Sequence, residues 1–117
     1  MIQGIGIDLV ELDRIETLME RQPAFPTRIL TEREMTRFLA LSDHRKIEFL
    51  AGRFSAKEAF SKALGTGIGE SMSFLDIEIL PNEMNKPIVY TDLFQGNIHV
   101  TISHSKEYAI AQIILEK

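Results

Sequence analysis

Glu58 is the residue whose surroundings ask most for an explanation. In Phe54-Ser-Ala-Lys-Glu-Ala-Phe-Ser-Lys62 it falls where helical spacing calls for an apolar side chain: Ile47, Ala51, Phe54, Glu58 and Lys62 lie on one side of a helix that turns about 100° per residue. Burying an unpaired ion is expensive, so such an acid must be matched by a cation or a metal, or must stand at the mouth of a cleft. Asp8 and Lys62 are the candidates for that match. Glu58 and Lys62 stand four apart, and the ordinary reading is an intrahelical pair worth about 0.3–0.5 kcal/mol on a surface. The company points further. Lys57, Ser61 and Lys62 cluster around the acid just before the three glycines of Gly65-Thr-Gly-Ile-Gly69. Two lysines, a hydroxyl and free backbone amides suit phosphates. The loop alone is a weaker signal, because it follows a helix C-terminus, where the macrodipole repels anions, and matches neither a Walker loop nor a dinucleotide fingerprint.

Three histidines and no cysteines leave carboxylate oxygens and imidazoles as the possible metal ligands, which favours hard divalent ions. No two histidines have metal-ligand spacing, so zinc is not expected. His104 lies between Ser103 and Ser105 at the tip of a hairpin, a polar place that suits contact with a phosphate or base and equally suits a plain surface turn. Arg14, Arg21 and Arg28 recur every seven residues beside Leu18, Gln22 and Phe25. Interleaved glutamates make a solvated mixed face the default, while arginines flanking apolar groups would also dock an acidic helix.

The elements that must position these groups follow from periodicity. Residues 2–10 alternate as a strand, with Ile5, Ile7 and Leu9 on one face and Gly4, Gly6 and Asp8 on the other. The glycine face leaves room beside the acid for another backbone or a bulky ligand. Leu12, Ile15, Leu18 and Met19 predict a helix from Glu11 to Arg21, stopped by Pro23 and Pro26. Thr31 with Glu34 forms a capping box opening a helix that ends near Leu41. A long helix capped by Ser42 or Asp43 runs to Leu64, ends at Gly65, and is apolar on two opposite sides, the mark of a central helix. The period then changes. Leu75, Ile77 and Ile79 predict a strand, Ile88 to Thr91 a short one, and Asn97–Ser103 with Tyr108–Leu115 a closing hairpin. The fold class is α+β: an N-terminal strand and helices, one long and central, packed on a mainly antiparallel sheet.

At 117 residues one domain, 1–117, is expected. A 44% hydrophobic, 26% charged composition is that of a soluble protein, and no stretch nears the roughly 18 apolar residues of a membrane span. Asp8, Glu11 and Asp13 in place of a basic leader argue against a secretory signal and for the cytoplasm. A net charge of -4 argues against nucleic acid as the partner.

Gly4-Ile-Gly-Ile-Asp-Leu-Val10, Phe54-Ser-Ala-Lys-Glu-Ala-Phe-Ser-Lys-Ala63 with Gly65-Thr-Gly-Ile-Gly69, and Val100-Thr-Ile-Ser-His-Ser105 resemble, in order and spacing, the holo-[acyl-carrier-protein] synthases, the short 4'-phosphopantetheinyl transferases. The resemblance covers the whole chain. It implies the 4'-phosphopantetheinyl transferase fold and transfer of the phosphopantetheine arm of coenzyme A to a serine of apo acyl carrier protein, with release of adenosine 3',5'-bisphosphate. It implies Mg2+ on Asp8 and Glu58, with the open glycine face beside Asp8 admitting the diphosphate, and Lys62 steadying phosphate charge. Arg53, Lys57, Ser61, Lys62, Gly65, Ile68, Pro87, His104 and Ser105 match positions that would hold the nucleotide. Arg14, Leu18, Arg21, Gln22, Phe25, Arg28 and Phe54 would meet the carrier protein, and a homotrimer with sites across subunit boundaries is implied.

Two departures stand out. Ala24 sits where relatives often place a basic residue, and Asn85 precedes Lys86 where they usually have glycine, a position asparagine tolerates in the left-handed region. The group that takes the serine proton stays open between Glu58 and a metal-bound water. Two other readings compete: a noncatalytic coenzyme A or nucleotide binding module, and an arginine-faced helical interaction protein. The first has little use for two carboxylates that repel its ligand unless a metal sits between them. The second leaves Asp8 and Glu58 unexplained.

Overall fold

The structure, a computed structural model, describes residues 1–117. Strand β1 (Ile2–Glu11) leads into helices α1 (Leu12–Arg21), α2 (Phe25–Ile29), α3 (Glu32–Leu39) and α4 (Asp43–Leu64). A 3₁₀ turn at Phe74–Asp76 is followed by strands β2 (Glu78–Pro81), β3 (Pro87–Tyr90), β4 (Asn97–His104) and β5 (Tyr108–Glu116). The hairpin β4–β5 takes β1 against its other side, giving an antiparallel sheet of order β1-β5-β4, while β2 and β3 pair separately. The class is the α+β one expected. No helix is long and apolar enough to cross a membrane.

The two apolar sides of α4 serve two halves of the interior. Leu50 and Ala51 pack with Val10, Leu12, Ile15, Phe25, Ile29 and Phe38. Ala56, Ala59, Phe60 and Ala63 pack with Ile77, Ile79, Ala111, Ile113 and Leu115. Each large aliphatic or aromatic group so buried contributes about 1.5–3 kcal/mol. Helix α4 begins on Ser42, whose Oγ accepts from Arg45 N at 3.4 Å, and ends on Gly65 at φ 89°, the left-handed stop that favours glycine.

Two local expectations need correction. Leu75 does not lie in a strand: residues 74–76 form the 3₁₀ turn, capped by Ser73 and Asp76, and β2 starts only at Glu78. Pro26 does not merely stop α1, because it stands in the first turn of α2, where its missing N–H costs nothing.

The seam between β1 and α4 sets the geometry of everything that follows. Gly4 faces Ala63, Gly6 faces Ala59, and Asp8 faces Ser55. Two strand residues advance about 6.7 Å and four helical residues about 6 Å, so the strand's inner face and one stripe of the helix stay in step. The approach is too close for any side chain: a Cβ on Gly4 would lie 2.0 Å from Ala63 O, and one on Gly6 would lie 1.9 Å from Ala59 O. The glycine face is therefore filled by helix backbone and is not the open entry for a diphosphate that the sequence suggests. Ile5, Ile7 and Leu9 point away from the helix and are more than half exposed.

Candidate active site

Because the strand and helix are in step, Asp8 arrives beside the middle of α4, opposite Ser55. Its Oδ2 accepts from Ser55 Oγ at 2.9 Å, and its Oδ1 from Lys62 Nζ at 3.2 Å. Lys62 Nζ also donates to Ile7 O at 3.1 Å. The intrahelical Glu58–Lys62 pair does not form; the lysine crosses the seam to Asp8 instead. Glu58 is half-buried on the neighbouring stripe, and its carboxyl is pushed above the usual range, first by burial and then by the negative charge of Asp8, with Lys62 and Arg14 opposing. Two carboxylates thus share a neighbourhood that one ammonium only partly neutralises. They are hard oxygen donors, and neither a histidine nor a third acid joins them. That set suits a divalent ion such as Mg2+, which commonly takes one or two carboxylates and fills its remaining positions with waters and substrate phosphates.

The other expected phosphate ligands lie elsewhere. Lys57 is fully enclosed: its ammonium donates to Glu34 Oε1 at 2.6 Å and to Ile29 O at 2.7 Å. Glu34, equally enclosed, accepts also from Thr31 N and from Ile79 N, both at 2.8 Å. Lys57 is thus a structural counter-ion joining α2, α3, α4 and β2, and its ammonium does not reach solvent. Burial drives its pKa down, with Glu34 opposing. Ser61 is also interior, with Oγ donating to Glu58 O at 2.7 Å. The glycine turn offers no nest either, because the amides of Gly65, Thr66 and Gly67 all converge on Ser61 O at 3.0–3.3 Å. Gly65 and half-buried Ile68 line that turn without free amides at Gly65.

Arg53, Pro87 and His104 do come together, in a cleft of about 580 Å³ between α3, the N-terminal half of α4, the β2–β3 turn and the end of β4. Its other charged walls are Arg37, Arg45 and Glu48, which the sequence pattern does not reveal. Arg53 stacks on Phe49 with 4.2 Å to the ring centroid and donates from Nε to Ile79 O at 3.3 Å. Burial lowers its pKa to about 10, with Glu34 opposing and Arg37 reinforcing. Asn85, at φ 64°, turns the β2–β3 loop along the rim, as its tolerance of the left-handed region allows. Ser105 is a turn residue, its Oγ accepting from the amides of Glu107 and Tyr108.

On α1 and α2, Arg14, Arg21, Gln22 and Arg28 are exposed, and Arg28 Nη1 donates to Gln22 Oε1 at 2.7 Å. Leu18 is half-buried. Arg14 lies over the Phe54 ring, 5.9 Å from its centroid, and Phe54 itself stacks on Phe74. Phe25 lies mostly in the core against Phe54, 8% exposed, and offers a partner little surface.

A family model described as the 4'-phosphopantetheinyl transferase superfamily matches residues 4–113. The chain belongs to this superfamily. Among its relatives, the holo-[acyl-carrier-protein] synthase of Anoxybacillus flavithermus is 59% identical over 117 residues, 100% of this chain and 98% of that one. The synthase of Bacillus subtilis is 55% identical over 118 residues, again 100% of this chain and 98% of the relative. Among solved structures of superfamily members, a crystal structure of the Bacillus anthracis holo-(acyl-carrier-protein) synthase in complex with CoA (3',5'-ADP) superposes with a TM-score of 0.92 at 52% identity, covering 98% of this chain and 96% of that one. The Helicobacter pylori synthase in complex with coenzyme A gives 0.85 at 35% identity, covering 96% of this chain and 99% of the other.

Proposed function

We propose that the chain, acting as one domain in the cytoplasm, transfers the 4'-phosphopantetheine arm of coenzyme A to a serine of apo acyl carrier protein. The observation that carries the reading is Asp8, held across the β1–α4 seam by Ser55 and Lys62 of the helix that carries Glu58, with the charge of Asp8 helping to raise the Glu58 carboxyl. In the reaction the serine hydroxyl gives its proton to Glu58 or to water as its oxygen forms a bond to the β-phosphorus of coenzyme A, the bond from that phosphorus to the bridging oxygen breaks, and adenosine 3',5'-bisphosphate departs with the extra negative charge. Such a transfer is chiefly positioning and electrostatics. Asp8 and Glu58 would hold Mg2+, which when bound supplies positive charge to the diphosphate. Ser55 and Lys62 hold the Asp8 carboxylate in one orientation, and the exposed ammonium of Lys62 can follow the charge as it moves to the departing phosphate. The cationic cleft takes the nucleotide end.

Arg53 and Glu58 are five residues apart on α4, which places them about 140° apart around the helix. The cleft and the acid pair of one chain therefore face different ways. A coenzyme spanning both kinds of group is better served by the cleft of one copy and the acids of the next, and the unpaired sheet face of Ile5, Ile7 and Leu9, with Ile110 on β5, offers apolar surface for such an assembly. This supports the homotrimer that the resemblance implies. Arg14, Arg21 and Arg28 remain the exposed cations for an acidic carrier protein.

The experiment is intact-mass measurement of apo carrier protein incubated with coenzyme A, Mg2+ and the chain. Addition of the phosphopantetheine arm by the wild type and none by Glu58→Gln is expected. Undiminished addition by Glu58→Gln would remove the assignment of the acid pair, and binding of coenzyme A with no addition by the wild type would leave only a binding module.

A further inference from the structure

Glu48 opposes the charge of the cleft it lines. The walls carry Arg37, Arg45, Arg53 and His104, yet a carboxylate with a side chain only 14% exposed stands among them. It meets His104 Nδ1 at 3.3 Å, Arg45 Nε at 3.5 Å and His44 Nε2 at 3.5 Å. By Coulomb's law alone, a negative group in the wall of an anion site weakens the site. Its contacts suggest what offsets that cost. His104 closes β4 and Glu48 lies in the second turn of α4, so their contact ties the sheet to the helix across the mouth of the cleft.

We propose that Glu48 is a positioning residue for the nucleotide end of the coenzyme: it holds His104 by Nδ1 and Arg45 by Nε, presenting His104 Nε2 and the Arg45 Nη groups to phosphate oxygens. The inference rests on the reading of the cleft as the nucleotide site. The chemistry is that of an outer-shell carboxylate on a histidine, which fixes the ring's orientation and leaves the opposite nitrogen for the ligand. Arg45 is 66% exposed, and a long side chain left free must be ordered at the moment of binding. Glu48 orders it beforehand.

The two effects of Glu48 have opposite signs, which makes the test sharp. Glu48→Gln removes the charge while keeping the shape. If the carboxylate acted only through its field, adenosine 3',5'-bisphosphate would bind more tightly to the variant; if it positions His104 and Arg45, binding weakens. We expect calorimetry to show about tenfold weaker binding of this probe to Glu48→Gln, with a matching rise in KM for coenzyme A, kcat within about twofold and an unchanged melting temperature. His104→Ala should weaken binding similarly, and the double variant should lose markedly less than the product of the two single losses, because Glu48 acts in part through His104. Unchanged or tighter binding by Glu48→Gln overturns the proposal, and so do losses that multiply fully in the double variant. Failure of the wild type to bind the probe would instead overturn the nucleotide reading of the cleft and this proposal with it; wild-type binding with an indifferent Glu48→Gln overturns the positioning role alone.

Discussion

Replacing Gly6 by alanine tests the seam that brings the two acids together. The new Cβ would stand 1.9 Å from Ala59 O and 2.8 Å from Ala63 N, both backbone atoms of a helix that cannot rotate away. Ordinary contact begins near 3.4 Å, so the closest pair falls short by 1.5 Å and strand and helix must part by about that much. The Ser55–Asp8 hydrogen bond, now 2.9 Å, would stretch to about 4.4 Å if the seam opened evenly, which is beyond bonding reach. Overpacking of this kind costs about 1–3 kcal/mol, and the rigidity of both partners puts the expected loss near the top of that range, less a few tenths recovered from the stiffer unfolded chain. For a chain of this size the melting temperature should fall by roughly 10–15 °C. Transfer measured well below that temperature should fall about a hundredfold, the usual consequence of moving a reacting group by an ångström or more. Gly52→Ala is the stability control, since its Cβ would meet no backbone and only the Cγ2 methyl of Ile102 at 3.1 Å, a few tenths of an ångström short of ordinary contact. Thermal unfolding and the carrier-protein mass assay read both quantities. A Gly6→Ala protein that melts within about 2 °C of wild type and transfers normally would refute the argument that this close approach sets the site.

Two further outcomes follow from the buried charges. Lys57→Met leaves the enclosed Glu34 carboxylate without its cation and should cost about 3–5 kcal/mol, seen as a lower denaturant midpoint; a stable variant with only a raised KM for coenzyme A would return Lys57 to the nucleotide site. Glu58 holds its proton more tightly in the folded state than its ordinary 4.5, so its favourable contribution is complete below about that pH and is lost as pH rises through the elevated folded value. Glu58→Gln should therefore melt higher than wild type in chelator at neutral pH, with the advantage fading as pH falls toward 4.5 and gone below it, and an equal difference at neutral pH and at about pH 4 would contradict the raised carboxyl assigned to this acid.

Much of the architecture is legible in local patterns. The Thr31–Glu34 capping box, the Gly65 stop and the β4–β5 hairpin each follow from a few neighbouring residues. What is missed depends on contacts distant in sequence. The capping box already gives Glu34 a role, so nothing local reveals that the same carboxylate is the partner of Lys57, 23 residues on. Alternation in β1 defines two faces but not which one is covered, and only the fit of Gly4 and Gly6 to Ala63 and Ala59 decides it. Leu75 alternates correctly with Ile77 and Ile79, yet the Ser73–Asp76 cap wins that stretch for a 3₁₀ turn. Of the acids, Asp8 and Glu58 are visible as misfits, one beside glycines and one in an apolar row. Glu48 is not, because a glutamate near the start of a helix looks like any other surface charge until His104 is brought against it.

The central claim is that Asp8 and Glu58 form one divalent-cation site for the coenzyme's diphosphate, and its most direct test is calorimetric titration of Mg2+ into the coenzyme A-saturated protein. The account predicts saturable binding by the wild type, and loss of nearly all of it in Asp8→Asn and in Glu58→Gln alike, with the double variant no worse than either. Wild-type Mg2+ affinity in either single variant would contradict it.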